Sequence, residues 1–237
     1  MLGTKLASRL GLPTTPVAVI HVGEELIRFT PDLCIEMPHQ RIPCKPGLQF
    51  GSRYPGDPRR LALLDFLPDP LLEAVANLYD FQGMLVFDKW TCNTNGRQTL
   101  FFRSPQPETG GRQSLAGGQP ERQQTPYTTV MIDQGFCFNA GEWNFPDAPL
   151  RGLYARNRVY QSVTGCESFA PWLERLEKRI SEQVIAAILE ELPPEWYADD
   201  FDALRALSER LLHRRERVRD FLLAAKNTNR QPFPNWI

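Results

Sequence analysis

Apolar residues at Leu2, Leu6, Ala7 and Leu10 recur at helical spacing, a short stripe halted by Gly11 and Pro13. Val17 to Val22 is a β-branched apolar run, read as a strand buried on both faces or nearly so. Pro31 to Pro46 holds four prolines and two cysteines and reads as irregular, whereas Leu48 to Tyr54 alternates large and small residues as a second strand would. Tyr54 to Pro58 is a turn cluster. Asp69 and Pro70 open a helix as cap and first turn, continued by Leu71, Leu72, Val75, Leu78 and Tyr79. Phe81 to Trp90 is apolar on nearly all sides, which predicts a central helix enclosed by others.

Asn93 to Gly96 breaks that helix. Leu100–Phe102 and Thr129–Ile132 then predict a hairpin, with residues 103–126, rich in Pro, Gly, Gln and Ser, as a flexible insertion between its strands. Phe136 to Pro149 reads as a packed irregular segment whose aromatics belong to the core. Two long helices follow, about 169–192, ending at Pro193 and Pro194, and about 201–225. A tail with Phe233 and Trp236 is expected to pack back on the body. The pattern gives an α+β fold with no internal repeat.

The chain has 237 residues, 42% hydrophobic and 23% charged, enough for one large domain or two small lobes. A net charge of -1 gives no general electrostatic footprint for DNA or RNA. No apolar run reaches the roughly 18 residues that cross a bilayer, and no secretory signal is visible. Five widely spaced cysteines without a Cys-x-x-Cys pair read as reduced thiols in a cytoplasmic protein, and three histidines offer little for zinc.

Candidate chemistry concentrates after the central helix. Asp88 and Asn93 have the Asp-x-x-x-x-Asn spacing of a kinase catalytic loop, and Asp133 lies between Ile132 and Gln134-Gly135, as a metal-binding Asp does. Asp88 is either a catalytic base or a helix-end residue that caps or pairs with Arg97 or Lys89. Arg97 either contacts an anionic oxygen or pairs with Asp88 or Asp133 to hold the loop. Asp133 is a metal ligand or a turn residue. Glu142 and Asp147 are further acids in loops. The run His213 to Arg219 alternates charges at helical spacing and reads as a solvated face, not a nucleic-acid patch. Cys92 has no neighbouring His to activate it as a nucleophile.

Gly11-Leu12-Pro13, Leu48 to Arg53, Phe87 to Arg97 and Met131 to Phe136 together resemble the HipA-like kinases, bacterial proteins related to the serine/threonine kinase of toxin–antitoxin modules. The resemblance runs from about residue 2 to about residue 223 and is most specific in the catalytic region. It implies a kinase-like fold: a residual N-lobe over residues 1–54 and a mostly helical C-lobe over 55–237. It implies ATP with Mg²⁺ as donor and a protein hydroxyl as acceptor. Asp133 would hold the metal, Asn93 and Asn95 would order the loop, Asp88 would be the fallback base, and Gln49, Phe50 and Ser52 would lie near the adenine-side hinge.

The family's loop reads Asn-x-Asp-x-x-x-x-Asn. In register, Asn93 matches its first Asn, Asn95 stands where the base Asp belongs, and Leu100 stands where a metal-binding Asn belongs. The family's glycine-rich loop and N-lobe lysine have no counterpart in this chain. Two expectations fit these departures: a piece of a longer kinase, or a non-catalytic pseudokinase that binds a protein partner. A domain that keeps only the scaffold is the third.

Overall fold

The computed structural model describes residues 1–37, 39–57, 59, 61–103 and 126–237; most of the predicted insertion at 103–126 lies outside the described residues. Helix α1 (Leu2–Leu10) leads to β1 (Val17–Val22), α2 (Glu24–Phe29), β2 (Cys34–Met37), β3 (Gln40–Pro43) and β4 (Gly47–Ser52). Then come α3 (Asp69–Glu73), α4 (Asp80–Thr91), β5 (Gln98–Arg103), β6 (Tyr127–Ile132), α5 (Ala170–Arg179), α6 (Glu182–Glu190), α7 (Phe201–Arg214) and α8 (Val218–Lys226). The architecture is α+β. Among the described residues three two-stranded antiparallel sheets, β1–β4, β2–β3 and β5–β6, accompany a helical body.

Helix α4 is the axis of that body. Every residue from Phe81 to Thr91 is buried, so the all-round apolar pattern is matched by neighbours on all sides. Around it pack Trp172 and Leu176 of α5, Leu211 of α7 and Leu222 of α8, and Leu6 and Leu10 of α1 join the same core. The Trp90 indole donates to Leu211 O at 2.8 Å, which satisfies its N–H inside the core. Helix α1 ends as its sequence predicts. Gly11 takes a left-handed φ of 87° and its N–H reaches Ala7 O and Ser8 O. The tail also packs back, with the Phe233 ring 5.6 Å from both Tyr160 and Phe169.

The β5–β6 hairpin pairs Gln98 with Ile132 and Leu100 with Val130, as the pattern predicts. It is tied to the first part of the chain by a parallel bridge between Thr14 and Met131, whose N–H donates to Pro13 O at 2.8 Å. This bridge seats the β1–β4 ribbon beside the outer end of β6.

Five expectations need correction. Residues 31–46 are not irregular throughout but form the β2–β3 hairpin, in which Pro43 ends an edge strand where its missing N–H costs nothing. β1 is not buried on both faces: Val22 is its one buried residue, and Ile20 is 45% exposed, because among the described residues its strand partner is β4 alone. The helix that opens at Asp69 stops at Glu73 rather than Tyr79. The helix expected over 169–192 is two, because Ile180 leaves helical geometry and the Ser181 hydroxyl caps α6 by accepting from Val184 N–H at 3.3 Å. A tighter turn at Arg215–Arg217 likewise divides α7 from α8.

Gly83 sits mid-helix in α4, where alanine would ordinarily stabilise by about 0.5–1 kcal/mol. Here an added Cβ would lie 2.4 Å from the Trp172 ring, which is fully buried and cannot retreat. Gly83→Ala is therefore expected to destabilise the protein by about 1–3 kcal/mol, read as a fall in urea midpoint. A rise in midpoint would show that the ring yields.

Candidate functional site

The loop after α4 is built on a buried ion pair. Cys92 turns the chain out of the helix with φ 50° and ψ 53°, and Asn93 N–H donates to Asp88 O at 2.9 Å. Arg97 then points back beneath the helix. Its Nε donates to Asp88 Oδ2 at 2.8 Å, its Nη2 to Asp88 Oδ1, and its Nη1 to Ile132 O at 2.7 Å. Asn93 Nδ2 adds a bond to Asp88 Oδ1 at 3.0 Å. The side chains of Asp88 and Arg97 are 0% and 1% exposed. Burial works to lower the Arg97 pKa, but the Asp88 carboxylate outweighs it and the net shift is upward. Of the two roles open to Asp88, the geometry selects the pairing with Arg97. Both oxygens of the Asp88 carboxylate are engaged inside the core, an arrangement that disfavours the fallback-base role.

Asn93 and Asn95 make short-range bonds within the loop. Asn93 Oδ1 accepts from Asn95 N–H at 3.1 Å, and Asn95 Oδ1 accepts from Gly96 N–H at 2.9 Å. Asn95 is half-buried, and its amide carries no group that can take up a proton at neutral pH.

A second layer holds the loop from outside. Gly152 N–H donates to Asn95 O at 3.0 Å and Arg97 N–H to Leu153 O at 3.1 Å. Gly152 has φ 77°, and a Cβ there would meet Asp88 Cβ at 2.5 Å, so only glycine brings this strand of chain so close. Lys89, 5% exposed, donates to Pro149 O at 2.6 Å and Arg151 O at 2.7 Å. Arg214 donates to Trp90 O at 2.9 Å and Lys89 O at 3.0 Å, carbonyls left over at the end of α4, and pairs with Asp147 at 2.6 Å. The solvated-face reading of residues 213–219 therefore fails at Arg214, which is buried. The signal was in the sequence: Leu204, Leu207, Leu211, Arg214 and Val218 share the core-facing stripe. Asp147 proves to be its anchor rather than a catalytic acid, and Gly152 carried no comparable signal.

The remaining candidates meet elsewhere. A cavity of about 480 Å³ opens between the β1–β4 ribbon and the end of β6, and Phe50, Ser52 and Asp133 line it with Thr4, Thr15 and Gln134. Gln49 is not among them; it faces the other side of β4, where its Nε2 donates to Lys45 O at 2.9 Å. Asp133 is half-buried and left-handed, with φ 56° and ψ 64°, a conformation that Asp and Asn tolerate better than most residues. The Thr15 and Ser52 hydroxyls bond each other at 2.6 Å, and Thr4 Oγ1 donates to Gln134 Oε1 at 3.2 Å. Gln134 Nε2 is buried with no partner. Ile132 joins the two halves of the site, since its carbonyl takes Arg97 while the residue lines the cavity.

Mg²⁺ prefers an octahedral shell of oxygens and several water or phosphate ligands. Asp133 is the one carboxylate among the described residues of this wall, and Leu100, half-buried in β5, brings no side-chain oxygen. Among the described residues no three His, Cys, Asp or Glu side chains could share a metal, and the described lining includes no Lys, Arg or His. Asp133 is thus the described side chain of this wall that could hold Mg²⁺ beside phosphate and water oxygens, with no described basic side chain next to it for a phosphate. Comparisons with family models, curated proteins and solved structures give no match to the chain.

Two outcomes test this architecture. Arg97→Met strands the Asp88 carboxylate in the core and is expected to cost about 3–5 kcal/mol, with part of that recovered when Asp88→Leu is added; urea unfolding of the cycle reads both. A loss below about 1 kcal/mol would mean the pair is incidental. The second concerns Lys89. Burial pushes its ammonium down to about 8 from 10.5, against the pull of Asp88 and Asp147. The unfolded chain keeps this proton to a higher pH than the folded one, so the Lys89 contribution rises with pH through the window from about 8 to 10.5. The gain is at most about 3 kcal/mol. The thiol of Cys137, pushed up to about 12 by burial, opposes it in the parent and in Lys89→Met alike. The difference between the two proteins should therefore climb across that window; a flat difference would place the ammonium nearer its ordinary value.

Proposed function

We propose that the chain is a HipA-like kinase-related protein in non-catalytic form, a pseudokinase that serves as a protein-binding module. The observation that carries this reading is the absence of a usable base on the described loop. Asp88 is spent in the Arg97 pair, and Asn95 holds the register position of the family's base. Loss of a positioned base typically costs about 10²–10⁴ in rate. The family register is otherwise supported by the placement of Asn93 beside the loop and of Phe50, Ser52 and Asp133 around one cavity. Under this reading the β1–β4 ribbon is what remains of the small lobe and the helical body is the large one. The five free thiols suit a reducing cytoplasm, and no helix among the described residues is long and apolar enough to cross a membrane.

A second reading, phosphoryl transfer from Mg²⁺-ATP to a protein hydroxyl, draws its support from Asp133 at the cavity wall. Incubation of the chain with radiolabelled ATP and Mg²⁺, alone and with a general protein substrate, separates the two. The expected result is no transfer above background, for the parent and for Asn95→Asp. Transfer by the parent that disappears in Asp133→Asn would replace the first reading with the second.

A further inference from the structure

Helices α6 and α7 leave a surface groove of about 370 Å³ between them, which shares no residue with the cavity beside β6. Each helix gives it one face. Glu182, Ala186, Leu189 and Glu190 follow one another at helical spacing on α6, and Phe201, Ser208 and Leu212 do so on α7. Leu189 and Leu212 are half-buried and supply the apolar floor. Tyr197 and Phe201 add a pair of rings 5.9 Å apart at the start of α7, and Phe201 is 49% exposed. The rim is acidic. Glu182, Glu190 and Glu209 are exposed, and none has an ion-pair partner among the described residues. Glu191, by contrast, is answered by Lys5. Glu190 lies in the last turn of α6, where no basic residue stands and the negative end of the helix dipole disfavours a carboxylate unless a cation meets it.

Resting on the reading of the chain as a protein-binding module, we infer that this groove receives an amphipathic helix of a partner protein. The partner's apolar stripe would lie on Leu189, Leu212 and Phe201, and its flanking Lys or Arg residues would meet the three glutamates. A helix laid between two others seats its ridges in the groove they leave, and leucines spaced three and four residues apart touch both walls. From Phe201 to Leu212 helix α7 extends about 17 Å, room for about three turns of a partner helix. Arg205 is the one cation in the lining, against three carboxylates, so the net charge of the groove is complementary to a basic partner. The same charge turns away nucleic acid and anionic lipid.

Calorimetric titration of the full chain with a synthetic peptide of about 14 residues, Leu on one helical face and Lys on the other, tests the inference. Saturable binding is expected, with a gain of peptide helicity in circular dichroism and a loss of affinity as salt rises. A peptide with Glu in place of Lys should bind at least about tenfold more weakly, and so should one with the same Leu and Lys content in alternating order. Glu190→Lys combined with Glu209→Lys should weaken the Leu/Lys peptide at least about tenfold and strengthen the Leu/Glu peptide. Phe201→Ala should weaken both. All three positions are exposed, so these substitutions leave the core intact. No binding of the Leu/Lys peptide, or binding that the groove substitutions do not change, overturns the inference. So does self-association of the chain that Glu190→Lys abolishes, which would give the groove to a second copy. None of these results removes the binding-module reading, which fails instead if the chain transfers phosphate.

Discussion

A carboxylate and a guanidinium buried together beneath helix α4 organise this molecule. Neither Asp88 nor Arg97 could be left alone at that depth, since an unpaired charge there costs several kcal/mol. Their pairing therefore dictates the path of everything between them. It forces the sharp exit at Cys92, brings Asn93 back onto the helix end, and fixes the start of β5 so that Gln98 meets Ile132. Through the third Arg97 bond, to Ile132 O, the same guanidinium also sets where β6 stops and where Asp133 begins. One interaction thus positions both the loop and the cavity wall.

The outer layer reinforces this arrangement at the carbonyl end of α4. Lys89 and Arg214 carry positive charge to the negative end of the helix dipole; Arg214 satisfies α4 carbonyls that have no helical partner, and Lys89 holds the loop carbonyls of Pro149 and Arg151. Asp147 balances Arg214, and Gly152 lets the chain lie against Asp88. The loop is clamped between two polar layers, which is the signature of a scaffold held still and contrasts with a loop that must admit a substrate.

Much of this was legible in the sequence, for physical reasons that differ by element. Helix α4 announced itself because a fully enclosed helix must be apolar all round, and the β5–β6 hairpin because its two runs match in length and character. The return of Phe233 to the core followed from aromatics in an otherwise polar tail. The break at Ile180–Ser181 was hidden because one amphipathic stripe continues on both sides of it. β1 misled because a run of β-branched residues looks the same whether or not a second layer covers it. Within the site, spacing alone could bring Asp88 and Asn93 together but left Asp88 with two roles. Only the direction of the Arg97 side chain, a tertiary fact, chose between them.

The β1–β4 ribbon has a consequence for how the protein comes apart. Two strands with uncovered apolar faces contribute little stability of their own, and the ribbon rests on the body through the Thr14–Met131 bridge and one indole bond, from Trp196 to Leu48 O at 3.0 Å. The helical body, by contrast, is knit by a continuous core. Two opening energies are therefore expected, with the amide protons of Val17–Val22 and Gly47–Ser52 exchanging through local release of the ribbon and those of α4 through global unfolding.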